Sequence, residues 1–305
     1  MSQELQDLLE WAKNGKIFVD PGIKFQITSD RGVICVAKED IKNGKDLIKV
    51  PKDIALTPTL AASFFGDDWT SSHDRNQQLQ LFLARLKFND EDTFVDGVNI
   101  SKKMAPYINF LPSNGRDTGL PYFWTEEEKY LLSGTDAEVF LKRFMDEIVE
   151  EWHSAVTGLK SVTMPNDMES FYQNYKRVTT TRLHKAFLVP VIDLLNHKNA
   201  TPVRWYTSDQ QQMVFSSLED PSNMKKGLEL FNNYGDKPNY AILLGYGFVI
   251  PDNKFDITTL SLKVPENYIE AAKKFGVKLP DDASAEGINF VLTKKYPLPE
   301  NLIDS

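Results

Sequence analysis

Residues 189–202, VPVIDLLNHKNATP, place an amide and an imidazole directly after an apolar run. Residues 189–195 are apolar except for Asp193, and Asn196 and His197 follow at once. Apolar runs of this kind usually lie in the core, where polar groups need hydrogen-bond partners. A carboxylate, an amide and an imidazole on one short segment could brace the backbone or serve a site, and the pattern alone leaves both open.

A second dense stretch, KKGLELFNNYGDKPNYAILLGYGFV, covers residues 225–249. Turn chemistry explains the Asn and Gly residues of NNYG well. It does not explain why Tyr234 and Tyr246 flank a Lys-Pro-Asn sequence and a helical run. A tyrosine just before a glycine at the edge of a sheet can aim its hydroxyl group into a cavity. Taken alone, the motif is still more typical of a structural turn than of a site.

Composition limits the function classes. The 305 residues are 41% hydrophobic and 26% charged, which is the balance of an ordinary globular protein. The formal net charge of −8 argues against nucleic acid as the main partner and favours a basic protein partner, although many cytosolic proteins are mildly acidic. No apolar run is long enough to cross a bilayer, so no membrane partner is expected.

Cysteine and histidine usage excludes two kinds of site. Cys35 is the single cysteine, so we expect no internal disulfide and no cysteine-built zinc site. The four histidines lack metal-ligand spacing, so we expect no metal. Residues 1–15 lack the basic start and apolar centre of a secretion signal. These features favour a reducing compartment, the cytoplasm or also the nucleus.

The elements that must position the two motifs follow from hydrophobic periodicity. An amphipathic helix with Leu5, Leu8, Leu9 and Ala12 on one face is predicted near the amino terminus. A β block is predicted over residues 17–56 and a mainly helical block over residues 57–187. Short strands and turns return over residues 188–263. Leu79, Phe82, Leu83 and Leu86 have helix spacing, as do Leu141, Phe144, Met145, Ile148 and Trp152. A β block that is split and then resumed predicts one β domain with a helical insert.

In this order, DRGVICVAKEDIKNGKDLIKVP, VPVIDLLNH and GLELFNNYGDKPNYAILLGYGF resemble the motifs of SET-domain protein methyltransferases. APYINFLP followed by PYFWTEEEKYLLSGT resembles the helical insert of the Rubisco large-subunit methyltransferase class. That class includes fungal enzymes that methylate lysines of ribosomal proteins, elongation factor and cytochrome c. The resemblance extends over nearly the whole chain.

The resemblance implies an α+β architecture: a β-rich SET fold with a pseudoknot, interrupted by a mainly helical insert and followed by a short C-terminal helical extension. Its domains would be the N-terminal helix and first part of the SET domain (1–56), the insert (57–187), the C-terminal part of the SET domain (188–263), and a truncated substrate-binding region (264–305). In the pseudoknot the Asn-His and Tyr-Gly segments thread past each other.

The resemblance also implies site residues for S-adenosyl-L-methionine, the methyl donor. Asn196 and His197 match the pair that binds the adenine, and Arg31, Gly32 and Val33 match the loop near the methionine part. The usual glycine before the arginine is Asp30 here. Arg182, with Arg177 as the alternative, would bind the cofactor carboxylate.

Three residues would act on the acceptor. Tyr234 matches the tyrosine at the methyl-transfer site, where it also contacts the cofactor, and Tyr246 matches a tyrosine that lines the lysine channel. Asp193 would face that channel or brace the knot. Methyl transfer to nitrogen is an in-line displacement, so alignment matters more than acid–base strength. An apolar channel next to a sulfonium lowers the pKa of the acceptor lysine and keeps it neutral.

The implied function is protein-lysine N-methylation of a non-histone, translation-related protein by a monomer. Two alternatives stay open: a protein-histidine methyltransferase, for which the channel must orient an imidazole tautomer, and a SET-fold binding module without activity. The intact Tyr234, Asn196 and His197 argue against the binding module.

Overall fold

The computed structural model forms two compact units. The first unit contains Met1–Thr118 and Asp146–Asp236, and the second contains Gly119–Met145 and Lys237–Ser305. The residues that the structure describes are 2–88, 91–156, 188–262, 266–275 and 288–297. The two units divide the chain at positions other than the predicted domain boundaries, which remain a prediction.

The amino-terminal helix α1 (Gln3–Asn14) is confirmed. The Ser2 side chain caps it by accepting a hydrogen bond from the backbone N–H of Leu5, as expected for a serine at a helix start. Leu5, Leu8 and Ala12 are buried on one face, and they join the main core of the first unit. The spacing of apolar residues therefore gave the correct buried face.

The strands of the first unit form antiparallel sheets. They are β1 (Phe18–Val19), β2 (Ile23–Thr28), β3 (Gly32–Ala37), β4 (Asp46–Pro51), β5 (Phe94–Val95), β6 (Val98–Asn99), β7 (Val203–Thr207), β8 (Gln212–Ser217) and β9 (Glu229–Leu230). Their orders are β1-β4-β8-β7, β2-β3-β9 and β5-β6. Late strands thus pair with early ones, β8 with β4 and β9 with β3. This pairing fits a β domain that is split and then resumed.

Helices of the intervening block pack into the same core. They are α2 (Pro58–Phe65), α3 (Asp67–Thr70), α4 (Arg75–Phe88) and α5 (Ile100–Phe110). The four apolar positions of α4 that define its predicted face are all buried, and so are neighbours on its other faces such as Leu81 and Ala84. Helix α4 is therefore surrounded by protein rather than half exposed.

The second unit contains α6 (Glu126–Tyr130), the first half of α7 (Asp136–Val156), α8 (Asn239–Tyr246), β10 (Ile257–Leu262), α9 (Glu266–Lys274) and β11 (Ile288–Thr293). Strands β10 and β11 pair antiparallel over six residues each. Strand β10 lies in the block predicted to contain short strands, whereas the region over 264–305 predicted to be helical contains α9 and also the unpredicted strand β11. Among the described helices, none is long and apolar enough to cross a bilayer.

Candidate functional site

Two chain segments meet side by side at Asn196 and His197. His197 and Asn232 form a parallel bridge outside the named strands. The Asn196 carbonyl accepts a hydrogen bond from the Asn232 N–H at 2.7 Å, and the Lys198 N–H donates to the Asn232 carbonyl at 3.1 Å. These backbone hydrogen bonds fix the segment of the Asn-His pair against the segment that continues into Tyr234.

The imidazole of His197 has a defined tautomer. Its Nδ1 accepts a hydrogen bond from the Tyr234 N–H at 3.0 Å, so the ring proton is on Nε2. The Nε2–H donates to Asn199 Oδ1 at 2.6 Å. The His197 and Tyr234 rings stack with centroids 5.0 Å apart and planes 14° apart. The histidine side chain therefore positions the tyrosine.

Tyr234 is held at both ends. Besides the bond from its N–H to His197, its hydroxyl group donates to the Leu195 carbonyl at 2.6 Å. The phenol proton is thereby directed at the Leu195 carbonyl, and the hydroxyl oxygen can act only as an acceptor towards any further group. No sequence signal marks Leu195 as a partner, because a backbone carbonyl has no residue-type preference.

The asparagines of NNYG have structural roles. Asn232 Oδ1 accepts hydrogen bonds from Trp205 Nε1 at 3.2 Å and from the Asn233 N–H at 2.8 Å. Asn233 Oδ1 accepts from the Gly235 N–H at 2.8 Å. Gly235 has a φ of 100°, which explains why a glycine follows the tyrosine. These contacts fix the turn that presents Tyr234.

Asp193 braces a strained turn. Val191, fully buried, has φ 70° and ψ −45°, near the strained γ-turn and outside the usual range of a β-branched residue. Asp193 Oδ2 accepts hydrogen bonds from the Val189 N–H at 2.9 Å and from the Tyr107 hydroxyl at 2.7 Å, and the Asp193 N–H donates to the Val189 carbonyl. Of the two predicted roles these contacts support bracing, and a role in the channel remains a prediction.

We expect Tyr107→Phe to lower the free energy of unfolding by about 1–2 kcal/mol, because the Asp193 carboxylate loses a buried donor. Tyr107 is 1% exposed on α5 and lies 86 residues from Asp193 in sequence. Chemical denaturation measures the difference. Tyr130→Phe, at a tyrosine that is 77% exposed, is the control and should have little effect. Equal stabilities of the two variants would contradict the bracing role.

The predicted cofactor loop is the turn of the β2–β3 hairpin. Thr28 pairs with Gly32 at its end, and Gly32 has a φ of 62°. A Cβ on Gly32 would meet no atom within 4 Å, so there is open space beside this backbone. Val33 is partly buried against the core. The turn is therefore accessible to a ligand, and the predicted roles of these residues remain predictions.

Arg31 contacts Glu229, the glutamate of the GLEL sequence that precedes the tyrosine motif. Arg31 Nη1 forms an ion pair with Glu229 Oε2, and Glu229 Oε1 accepts a hydrogen bond from Asn196 Nδ2 at 3.0 Å. The Glu229 side chain is 8% exposed and that of Arg31 is 51% exposed. Burial, and secondarily the charge of Glu229, raises the pKa of the Cys35 thiol on neighbouring β3. Glu229 thus connects residues from two predicted cofactor motifs.

The remaining predicted residues are placed differently. Tyr246 ends α8 in the second unit, where burial raises the pKa of its hydroxyl group. Its predicted role in the channel remains a prediction. Arg182 and the alternative Arg177 lie outside the described residues. Within the described part of the chain, no group of His, Cys, Asp and Glu residues could hold a metal ion.

The fold is that of a SET domain. A solved structure of Rubisco LSMT bound to AdoMet aligns with 99% of this chain and 69% of that chain, at a TM-score of 0.75 and 20% identity. The structure of Rubisco LSMT bound to sinefungin and monomethyllysine aligns over the same shares at a TM-score of 0.74 and 19% identity. The predicted α+β SET architecture is thereby confirmed.

Two lysine methyltransferases of yeast are similar to this chain in sequence. Protein-lysine N-methyltransferase EFM1 of Saccharomyces cerevisiae is 30% identical over 98% of this chain and 60% of its own length. Ribosomal lysine N-methyltransferase 1 of the same yeast is 30% identical over 87% of this chain and 52% of its own length. The chain is similar to both enzymes over most of its own length, which agrees with the resemblance that its motifs indicated.

One family model also matches. It describes the EFM1 middle domain and covers residues 257–304, which include β10, α9 and β11. The chain spans 60% or less of the length of the two yeast relatives. The activity, substrate and partners of the whole protein are therefore matters for proposal.

Proposed function

We propose that the chain is an S-adenosylmethionine-dependent protein-lysine N-methyltransferase. The observation that carries this proposal is the double anchoring of Tyr234 beside the Asn-His pair. Its N–H is bonded to His197 and its hydroxyl group to the Leu195 carbonyl. A preorganised hydroxyl beside a predicted cofactor segment suits a reaction that depends on alignment.

Two observations support S-adenosylmethionine as the ligand of these residues. The backbone at Gly32 borders open space, so a ligand can approach it closely. The amide of Asn196 is held by Glu229 and has a defined orientation for a polar group. We propose that Asn196 and His197 bind the adenine part, that Arg31, Gly32 and Val33 line the methionine part, and that Arg182, with Arg177 as the alternative, binds the carboxylate.

The cofactor supplies a methyl group on a sulfonium, and the chain supplies alignment. Because the phenol proton of Tyr234 is donated to Leu195, its oxygen presents lone pairs. Those lone pairs can accept a C–H···O contact from a polarised methyl group and orient the acceptor nitrogen. Tyr246 would line the lysine channel. This chemistry requires no metal.

We further propose a ribosomal protein or another translation-related protein as substrate. The names of two relatives support this choice, Ribosomal lysine N-methyltransferase 1 of Saccharomyces cerevisiae and set10 of Schizosaccharomyces pombe. The net charge of −8 suits encounter with a basic protein. The proposed location is the cytoplasm, with the nucleus as a second compartment, and the proposed state is a monomer.

The test is methyl transfer from deuterated S-adenosylmethionine to ribosomal and soluble proteins of cells that lack the protein. We expect a trideuteromethyl group on a lysine that is methylated in parental cells and unmethylated in the deletion strain, as read by mass spectrometry. A heat-inactivated sample is the control. Label on a histidine would favour the alternative enzyme, and cofactor binding without any transfer would favour a binding module.

A further inference from the structure

Glu229 brings together three parts of the chain that are far apart in sequence. It lies on β9, paired with Val36 of β3. One carboxylate oxygen accepts from the Asn196 amide 33 residues away, and the other pairs with the Arg31 guanidinium 198 residues away. Both partners belong to predicted cofactor motifs, so a single carboxylate orients both of them.

The burial of Glu229 makes these contacts energetically important. Its side chain is 8% exposed, and a buried carboxylate is stable only when it is paired and hydrogen-bonded. Arg31 supplies the opposite charge, and Asn196 supplies an N–H donor. Removal of the charge would therefore loosen both partners at once.

Glu229 also determines which end of the Asn196 amide faces away from it. The two ends of an amide have nearly the same shape, and a carboxylate accepts only from the NH₂ end. Since Asn196 Nδ2 donates to Glu229, Oδ1 is directed elsewhere as a hydrogen-bond acceptor. An acceptor in that position suits a donor group of a ligand, such as an amine or a hydroxyl.

We propose that Glu229 is a positioning residue of the methyl-donor site. It fixes the Asn196 amide with Oδ1 available to the cofactor, and it holds the Arg31 turn in place. This inference rests on the proposed function. Its effect should appear in cofactor affinity and not in the methyl-transfer step, because Glu229 acts through Asn196 and Arg31.

The test is Glu229→Gln, which keeps the shape and removes the charge. We expect the Kd for S-adenosylmethionine, measured by calorimetry, to rise about tenfold, since hydrogen bonds to charged groups are worth roughly that ratio. KM for the cofactor should rise in parallel, with kcat at saturating cofactor within about twofold of the parent. Asp46→Asn removes a carboxylate bonded to Ser216 and Tyr206 outside the site and should leave both constants unchanged.

A double-mutant cycle distinguishes positioning from general destabilisation. In an Asn196→Ala background, Glu229→Gln should raise the Kd by a smaller factor than it does in the parent protein, because the part of its effect that passes through Asn196 is already lost. Fully additive effects, or an unchanged Kd in folded Glu229→Gln, would overturn the inference and leave the proposed function intact. Failure of the parent protein to bind the cofactor would overturn both.

A second variant covers the case in which Glu229→Gln does not fold. Glu229→Asp keeps the charge opposite Arg31 and withdraws the oxygens by one methylene group. We expect the same direction of change, a higher Kd with nearly unchanged kcat. A folded Glu229→Asp protein with the parental Kd would contradict the inference, just as an unchanged Kd in folded Glu229→Gln would.

Discussion

Tyr234→Phe should lower methyl transfer about a hundredfold or more while the protein stays folded and binds its cofactor. The substitution keeps the ring that stacks on His197 and removes the hydroxyl group that donates to Leu195. It therefore removes the lone pairs proposed to contact the methyl group and orient the acceptor nitrogen. The backbone bond from the Tyr234 N–H to His197 is unaffected.

Turnover at saturating cofactor, together with a thermal melt, measures this effect. Loss of one hydrogen bond to a carbonyl costs about 1 kcal/mol, which is too little to unfold a domain. Tyr206→Phe is the matched control, because Tyr206 also donates its hydroxyl hydrogen, here to Asp46, and lies on β7 outside the site. Near-parental turnover in folded Tyr234→Phe would mean that the tyrosine only packs at its turn.

Asn196→Ala should weaken S-adenosylmethionine binding by about tenfold to a hundredfold. The variant removes the amide oxygen proposed to face the cofactor. It also removes the Nδ2 donor of the buried Glu229 carboxylate, so the Arg31 turn loses part of its support. The backbone bond from the Asn232 N–H to the carbonyl of residue 196 survives, because it uses no side-chain atom.

Calorimetry on the folded variant decides this prediction. Asn43→Ala is a suitable control, since Asn43 is an exposed asparagine between β3 and β4 whose amide donates to the Leu218 carbonyl. A thermal melt separates weaker binding from lost structure. An unchanged Kd would place the adenine part of the cofactor somewhere other than at Asn196.

The sequence predicted those parts of the fold that depend on local pattern. Leu5, Leu8 and Ala12 marked the buried face of α1 because their spacing matches the helix repeat. β11 was missed because its alternation is incomplete: residues 288, 290 and 292 are apolar and 289 and 293 are polar, but Val291 between them is apolar as well. Its partner β10 lies about thirty residues away, and long-range pairing leaves no local mark.

The proximity of the Asn-His and Tyr-Gly motifs was predictable from their resemblance to a known family, but the contacts that hold them were not. The positions of Tyr234, Asn196 and His197 were marked by residue type and context. Their partners were not, because Leu195, the partner of Tyr234, acts through a backbone carbonyl, and Tyr107, the partner of Asp193, comes from a distant helix. Glu229 had a signal, since a glutamate in GLEL precedes the tyrosine motif, but its two partners are defined only by the folded chain.

The central claim is that the methyl donor binds with its sulfur beside Tyr234. The most direct measurement is a crystal structure of the protein with S-adenosylhomocysteine. A C–H···O contact is about 3.3–3.6 Å long, so the sulfur should lie within about 5 Å of Tyr234 Oη, with the adenine against Asn196 and His197. A ligand bound away from these residues, with Tyr234 Oη far from the sulfur, would contradict the account.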